Sequence, residues 1–376
     1  MQLSQQDSLR LNVLLNQAVE AIRIDDGKMI VYGLTKKGEA KIQLSPNCKD
    51  EKYVKQVKEM ISSHVLGSPG GYPVFLKRWT RMGQARSESL ENLLKLGEPE
   101  AVVAVVGAEG ITDEIARRAW WVMPNAENAR RMLARNEVAQ GEMGKVLAEF
   151  LLEFLPFEEE PRNVIESVRL VLQPGLTETP AQEKLWKIGQ RKNAFLVGFL
   201  KSDLEIVPQA VSEHPGLANW GTQLTVLAEN DNRLAQFLLL ILSQSGQAWL
   251  KTAEQVLKKP VNQDVVVALF EAIESYFLNI RPHTEKRRDI QHILSEAETS
   301  CATPESSIFC DEITALKAEI PDIVSLVPSL LVLSCVGEQL AAPIFATTDA
   351  VGTVMRRKLE PISKPLTEHL NILLGK

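Results

Sequence analysis

The stretch GSPGGYPVFLKRWTRMGQ, residues 67–84, sets glycines beside aromatic and basic side chains, the residue types that hold phosphates or stack on bases. A phosphate-cradling P-loop needs Lys-Ser/Thr directly after its last glycine, and here Gly70-Gly71 is followed by Tyr72-Pro73. The glycine spacing does not fit a dinucleotide fingerprint either, so Ser68-Pro69-Gly70-Gly71 reads as a turn. The residues after it hold more chemistry. As a strand from Val74 to Arg81, they would place Phe75, Lys77, Trp79 and Arg81 on one face. Alternating aromatic and basic side chains suit single-stranded nucleic acid, where rings stack on bases and cations neutralise phosphates. The same pattern also suits a core in which Phe75 and Trp79 pack while Lys77 and Arg81 reach out to solvent.

A second cluster is Arg117-Arg118 followed by Trp120-Trp121. Neighbouring tryptophans on a helix point about 100° apart, so one would pack inward and the other would be free for an interface, where Trp and Arg are enriched. Cys48, in SPNCKDEKY, precedes an expected helix start and adjoins Lys49. Both features favour thiolate and make it the candidate reactive thiol, although Asp50 and Glu51 oppose them. His283, His292, Cys301 and Cys310 are spaced by nine residues, which turns consecutive members to opposite faces of a helix; zinc sites use closer pairs. No G-x-S-x-G nucleophile motif is present. We therefore expect no catalytic, cofactor or metal residues.

Three strands are expected in AIRIDDGKMIVYGLTKKGEAKIQL, turning at Asp26-Gly27 and Lys37-Gly38 after a short first helix. Asp50 opens a helix to about Ser63, and Val74–Arg81 would add a fourth strand. Beyond residue 86 the apolar period lengthens to 3.6. Leu147, Phe150, Leu151 and Phe154 form one helical face; Leu234, Phe237, Leu238 and Ile241 another; and Val266, Leu269, Phe270 and Ile273 a third. The expected fold is a small α+β domain over 1–86 followed by an all-helical, solenoid-like or layered bundle over 87–376. A further division is expected near 176–180, and the chain is mainly α overall.

Residues 1–86 hold 14 Lys/Arg against 8 Asp/Glu, whereas the remainder holds 28 against 40. Such asymmetry suits a basic interaction module on an acidic body. The apolar runs Leu234–Leu242 and Ile323–Val336 are shorter than a membrane span and read as core helices. No export signal is evident, and four cysteines in 376 residues do not make a disulfide framework, so a cytoplasmic location is expected.

The segments HVLGSPGGYPVFLKRWTRMGQ, LLKLGEPEAVVAVV, ARRAWWVMPNAENARRML and EFLPFEEEPRNVIESVRLVLQPGL resemble the DsrS family, encoded with the dissimilatory sulfite reductase genes of sulfur-oxidising bacteria. The resemblance is clearest over residues 1–176. It implies a cytoplasmic accessory or regulatory role in sulfur oxidation, supporting production of the Dsr machinery, with other Dsr proteins as partners. It supplies no residue set. Two alternatives remain open: RNA binding through the basic N-terminal domain, and sulfur carriage as a persulfide on Cys48.

Overall fold

The computed structural model describes residues 3–73, 87–202, 207–282 and 289–376. Helices account for 68% of the chain, and one small antiparallel sheet lies near the N-terminus, so the fold is mainly α with an α+β beginning. The contacts divide it into two units, Met1–Pro156 and Phe157–Lys376. The expected boundary near residue 86 falls inside the first unit, because helices after that point pack on the sheet rather than apart from it.

In the first unit α1 (Gln5–Leu15) begins at Ser4, whose hydroxyl accepts from the Asp7 amide. Strands β1 (Val19–Asp25), β2 (Ile30–Thr35) and β3 (Gly38–Gln43) follow in the order β1-β2-β3. The three strands and the first helix are those expected from the alternating apolar pattern. Helix α2 (Asp50–Leu66) ends at Gly67, whose φ of 69° is the left-handed conformation that glycine adopts at least cost. Val74–Arg81, the expected fourth strand, lies outside the described residues.

The register pairs Ile22 with Gly33 and Val31 with Ile42, so these residues share one sheet face. Leu11, Leu14 and Leu15 of α1 and Tyr53, Val54, Val57 and Ile61 of α2 cover that face. Asp7 fastens the layers: its Oδ2 accepts from the Tyr53 hydroxyl at 2.5 Å and from the Ser45 amide at 2.8 Å. Gly33 lets α1 lie close, since a Cβ there would come within 2.7 Å of Leu14 Cδ1.

The opposite face receives α3 (Ser87–Leu94) and α5 (Asp113–Val122), which contact β1. Helices α4 (Pro99–Val106), α6 (Ala126–Leu133), α7 (Asn136–Ala139) and α8 (Glu142–Phe154) complete the unit.

The second unit is built from α9 (Pro161–Val171), α10 (Thr179–Gly189), α11 (Asn193–Leu200), α12 (Leu217–Glu229), α13 (Arg233–Leu242) and α14 (Gln244–Lys258). It continues through α15 (Gln263–Tyr276), α16 (Ile290–Ala302), α17 (Cys310–Glu319), α18 (Val327–Ser334), α19 (Glu338–Phe345) and α20 (Gly352–Leu373). Two of the 3.6-period faces named above are buried as expected: Leu234, Phe237, Leu238 and Ile241 of α13 meet Val266, Leu269, Phe270 and Ile273 of α15 in one core. On α8, by contrast, Leu147 and Leu151 are buried and Phe154 is exposed.

Among the described residues no single helix is long and apolar enough to cross a membrane. The apolar pair Pro321–Ser334 and Glu338–Phe345 is bent by 54°, and its Leu330, Val332 and Leu333 are buried in the core.

The turn from α13 into α14 is tight. A Cβ on Gly246 would lie 2.3 Å from the Leu240 carbonyl oxygen and 2.6 Å from Ile241 Cα, both backbone atoms that cannot rotate away. Gly246→Ala is therefore expected to cost about 2 kcal/mol, read as a lower midpoint in urea unfolding. An unchanged midpoint would show that the junction opens without penalty.

Candidate interaction surface

Phe75, Lys77, Trp79 and Arg81 lie outside the described residues. The glycine loop before them is a turn bonded to its own chain. Gly70 and Gly71 have φ of 118° and 59°. The Gly71 amide donates to Ser62 Oγ at 2.8 Å, and the Tyr72 amide donates to Glu98 Oε2 at 2.8 Å. An internal carboxylate thus occupies the place an anion would take at the Tyr72 amide.

Arg117 and Arg118 leave α5 on adjacent positions, and both turn to carboxylates of their own unit. Arg117 donates to Glu114 at 2.7 Å and to Glu20 of β1 at 3.2 Å. Arg118 lies 3.0 Å from Glu114 and 3.5 Å from both Glu20 and Glu91. The Arg117 hydrogen bond holds the Glu114 carboxyl down to about 2, and the same contact raises the Arg117 guanidinium.

The two tryptophans diverge as their helical spacing requires. Trp120 meets Phe150 of α8 edge-on, with centroids 4.8 Å apart. Trp121 turns towards the sheet and donates from Nε1 to Glu39 at 3.0 Å. Between Trp121 and Tyr32 lies the Arg23 guanidinium, 4.9 Å from one ring and 4.6 Å from the other, and it also pairs with Glu39 at 3.6 Å. Each ring face offers negative charge to the cation, while the carboxylate fixes its edge. The Arg/Trp cluster therefore fastens α5 to the sheet, and its charges are matched within the unit.

Cys48 is half-buried against the core between sheet and α2, with its Sγ 3.7 Å from the Lys49 carbonyl oxygen. Burial pushes the Cys301 thiol up to about 11, away from the thiolate that nucleophilic chemistry needs. Among the described residues no three His, Cys, Asp or Glu side chains converge as a metal site, and His292 pairs with Glu296 at 3.1 Å; His283 lies outside them.

One nucleophile–base contact emerges that sequence spacing hides. Ser329 Oγ of α18 lies 3.0 Å from His369 Nδ1 of α20. Ser329 is 1% exposed, which closes the hydroxyl to a substrate, and burial lowers the His369 imidazole. The pair joins two core helices. His214 is likewise buried: its Nδ1 accepts from the Gly216 amide at 3.0 Å, and its ring stacks on Trp220.

The open surface of the first unit is elsewhere. A groove of about 600 Å³ runs between α1 and β3, lined by Leu9, Arg10 and Val13 on the helix, by Gln17 just after it and by Ala40–Gln43 on the strand. Leu9 is 67% exposed and Val13 54%, a large apolar exposure for one short helix. Strand β3 pairs only with β2 among the described strands, so its other edge faces this groove. Arg10 brings positive charge and forms no ion pair with a described residue, whereas the Lys41 ammonium turns to the Tyr32 ring, 6.0 Å from its centroid. The sequence carried a signal for this site that pattern reading passed over. Leu9 and Val13 sit opposite the buried face of Asp7, Leu11, Leu14 and Leu15, where an amphipathic helix should be polar.

Comparison with family models, with curated proteins and with solved structures finds no match to this chain.

Proposed function

We propose that the protein is a non-catalytic, cytoplasmic accessory protein of dissimilatory sulfur oxidation, acting as an adaptor for proteins of the Dsr machinery. The observation that carries the adaptor reading is the groove between α1 and the edge of β3. A strand edge offers backbone donors and acceptors to an extended peptide, and alternate side chains of that peptide would reach Leu9 and Val13 on the helix beside it. Arg10 favours an acidic residue in the incoming segment. The sulfur-oxidation context rests on the sequence resemblance alone.

The buried state of Ser329 and the core packing of Cys48 favour binding over covalent chemistry. In a low-salt pull-down from sulfur-oxidising cells, the full chain is expected to retain a protein encoded with the sulfite reductase genes. Leu9→Asp/Val13→Asp should reduce that retention by about tenfold, since it puts charge on the apolar wall, with the circular dichroism spectrum unchanged. Recovery of no Dsr component would overturn the reading. Recovery of RNA, with a steep dependence on salt, would put the nucleic-acid alternative in its place.

A further inference from the structure

The second unit is acidic, with 21 Lys/Arg against 28 Asp/Glu over residues 157–376, yet the seam between α14 and α20 has the opposite sign. The two helices run antiparallel. Gln247 Nε2 donates to the Leu373 carbonyl at one end, and Arg356 Nη1 donates to the Pro260 carbonyl at the other. Leu257 and Leu359, both buried, close the floor. Above them lies a groove of about 310 Å³ whose charged lining is Lys258, Arg356, Arg357 and Lys364 against the single acid Glu360.

Arg357 and Lys364 are exposed and make no ion pair or hydrogen bond with the described residues. They are two helical turns apart, roughly 10 Å along α20. Beside the groove, the buried Glu254 carboxylate takes three ammonium groups, from Lys251 at 2.9 Å, Lys258 at 2.7 Å and Lys376 at 2.8 Å. One negative charge against three leaves an excess of positive charge that extends the basic stripe along α14. Such a concentration on an acidic body would draw anionic partners to the groove, while the acidic remainder of the unit's surface disfavours their approach elsewhere.

We infer that this groove binds an acidic segment of a partner protein. Two features favour a peptide over a nucleic acid. The lining holds no aromatic ring on which a base could stack. Glu360 stands four residues from both Arg356 and Lys364, so it interrupts the row of cations; a continuous phosphate backbone would be pressed against it, whereas carboxylates spaced along a peptide would pass it by. Ser363 and Thr367, also in the lining, add hydroxyl donors for carboxylate or backbone oxygens. This surface is separate from the α1–β3 groove and does not depend on it.

Fluorescence anisotropy on the full chain would compare labelled poly-glutamate with labelled oligo(U). Poly-glutamate is expected to bind, to weaken with added salt, and to lose at least about tenfold in affinity in Arg357→Glu/Lys364→Glu. A control reversal on α10, Lys184→Glu/Lys187→Glu, should leave binding unchanged. The neutral pair Arg357→Gln/Lys364→Gln should give an intermediate loss and keeps the test available if the reversal disturbs folding. The inference is overturned by absence of poly-glutamate binding or by equal loss in the control. Tighter oligo(U) binding abolished by the same variants would make the groove a nucleic-acid site instead. Sedimentation showing self-association that the double reversal abolishes would assign it to a second copy of the chain, and would also overturn the inference.

Discussion

Trp249→Ala should destabilise the second unit by about 4 kcal/mol, lowering its melting temperature by roughly 10 °C. The indole is fully buried, stacks on Tyr276 with centroids 4.0 Å apart, and donates from Nε1 to the Leu200 carbonyl at 3.1 Å. Truncation removes the largest fully buried side chain, leaves a cavity among Tyr276, Phe277 and Phe237, and strips the carbonyl of that donor. The same environment pushes the Tyr276 hydroxyl well above its ordinary value, by burial. Trp249→Phe separates the contributions. It keeps most of the ring and loses the hydrogen bond, so it should cost about 1–2 kcal/mol beyond the small volume change. Thermal melts of the three proteins check this ordering, and equal losses in the two variants would show that the hydrogen bond, rather than packing, dominates.

Glu254→Gln should cost about 3 kcal/mol at neutral pH, because a buried carboxylate with three ammonium partners becomes a neutral amide. Glu254 is 1% exposed, and its burial alone would raise its proton affinity. The hydrogen bonds from Lys258, Lys376 and Lys251 outweigh that effect and hold the carboxyl at about 2, against an ordinary 4.5. A carboxyl lowered by folding contributes stability above its unfolded value and loses it as pH falls through the folded value. The stability difference between the wild type and Glu254→Gln should therefore be full above about pH 4.5 and shrink towards pH 2. Subtracting the two proteins isolates this group from Glu114, which Arg117 also holds at about 2. A difference that stays constant with pH would exclude the ionised carboxylate as its source.

Basic surfaces on this chain divide according to what lies opposite them. Arg117 and Arg118 are adjacent in sequence to two tryptophans and read as an interface, yet Glu20, Glu91 and Glu114 neutralise them within the unit. Arg357 and Lys364, four and eleven residues from Thr353 on a helix with no sequence signature, have no such partners among the described residues. A charged residue is available to a ligand only when its own fold does not supply the counter-charge, and that depends on side chains distant along the chain.

The sequence by itself determined the local elements. Alternation of Ile22, Ile24, Ile42 and Leu44 around two turns specified the three strands, because side chains of a strand alternate between its two faces. The 3.6-residue period specified α8, α13 and α15, because one helical stripe must be buried. Glycine and proline chemistry made residues 67–70 a bend, after which residues 71–73 are helical.

Tertiary structure alone decided where those elements meet. It brought α3 and α5 onto the sheet, set Arg23 between Tyr32 and Trp121, and left Leu9 and Val13 beside an unpaired strand edge among the described residues. It aligned Lys258 with Arg356, about a hundred residues later, across one groove, and buried Glu254 among three lysines. Periodicity reports which face of an element is apolar; which charges end up opposed or alone depends on packing between segments far apart in the chain, and no local pattern encodes that distance.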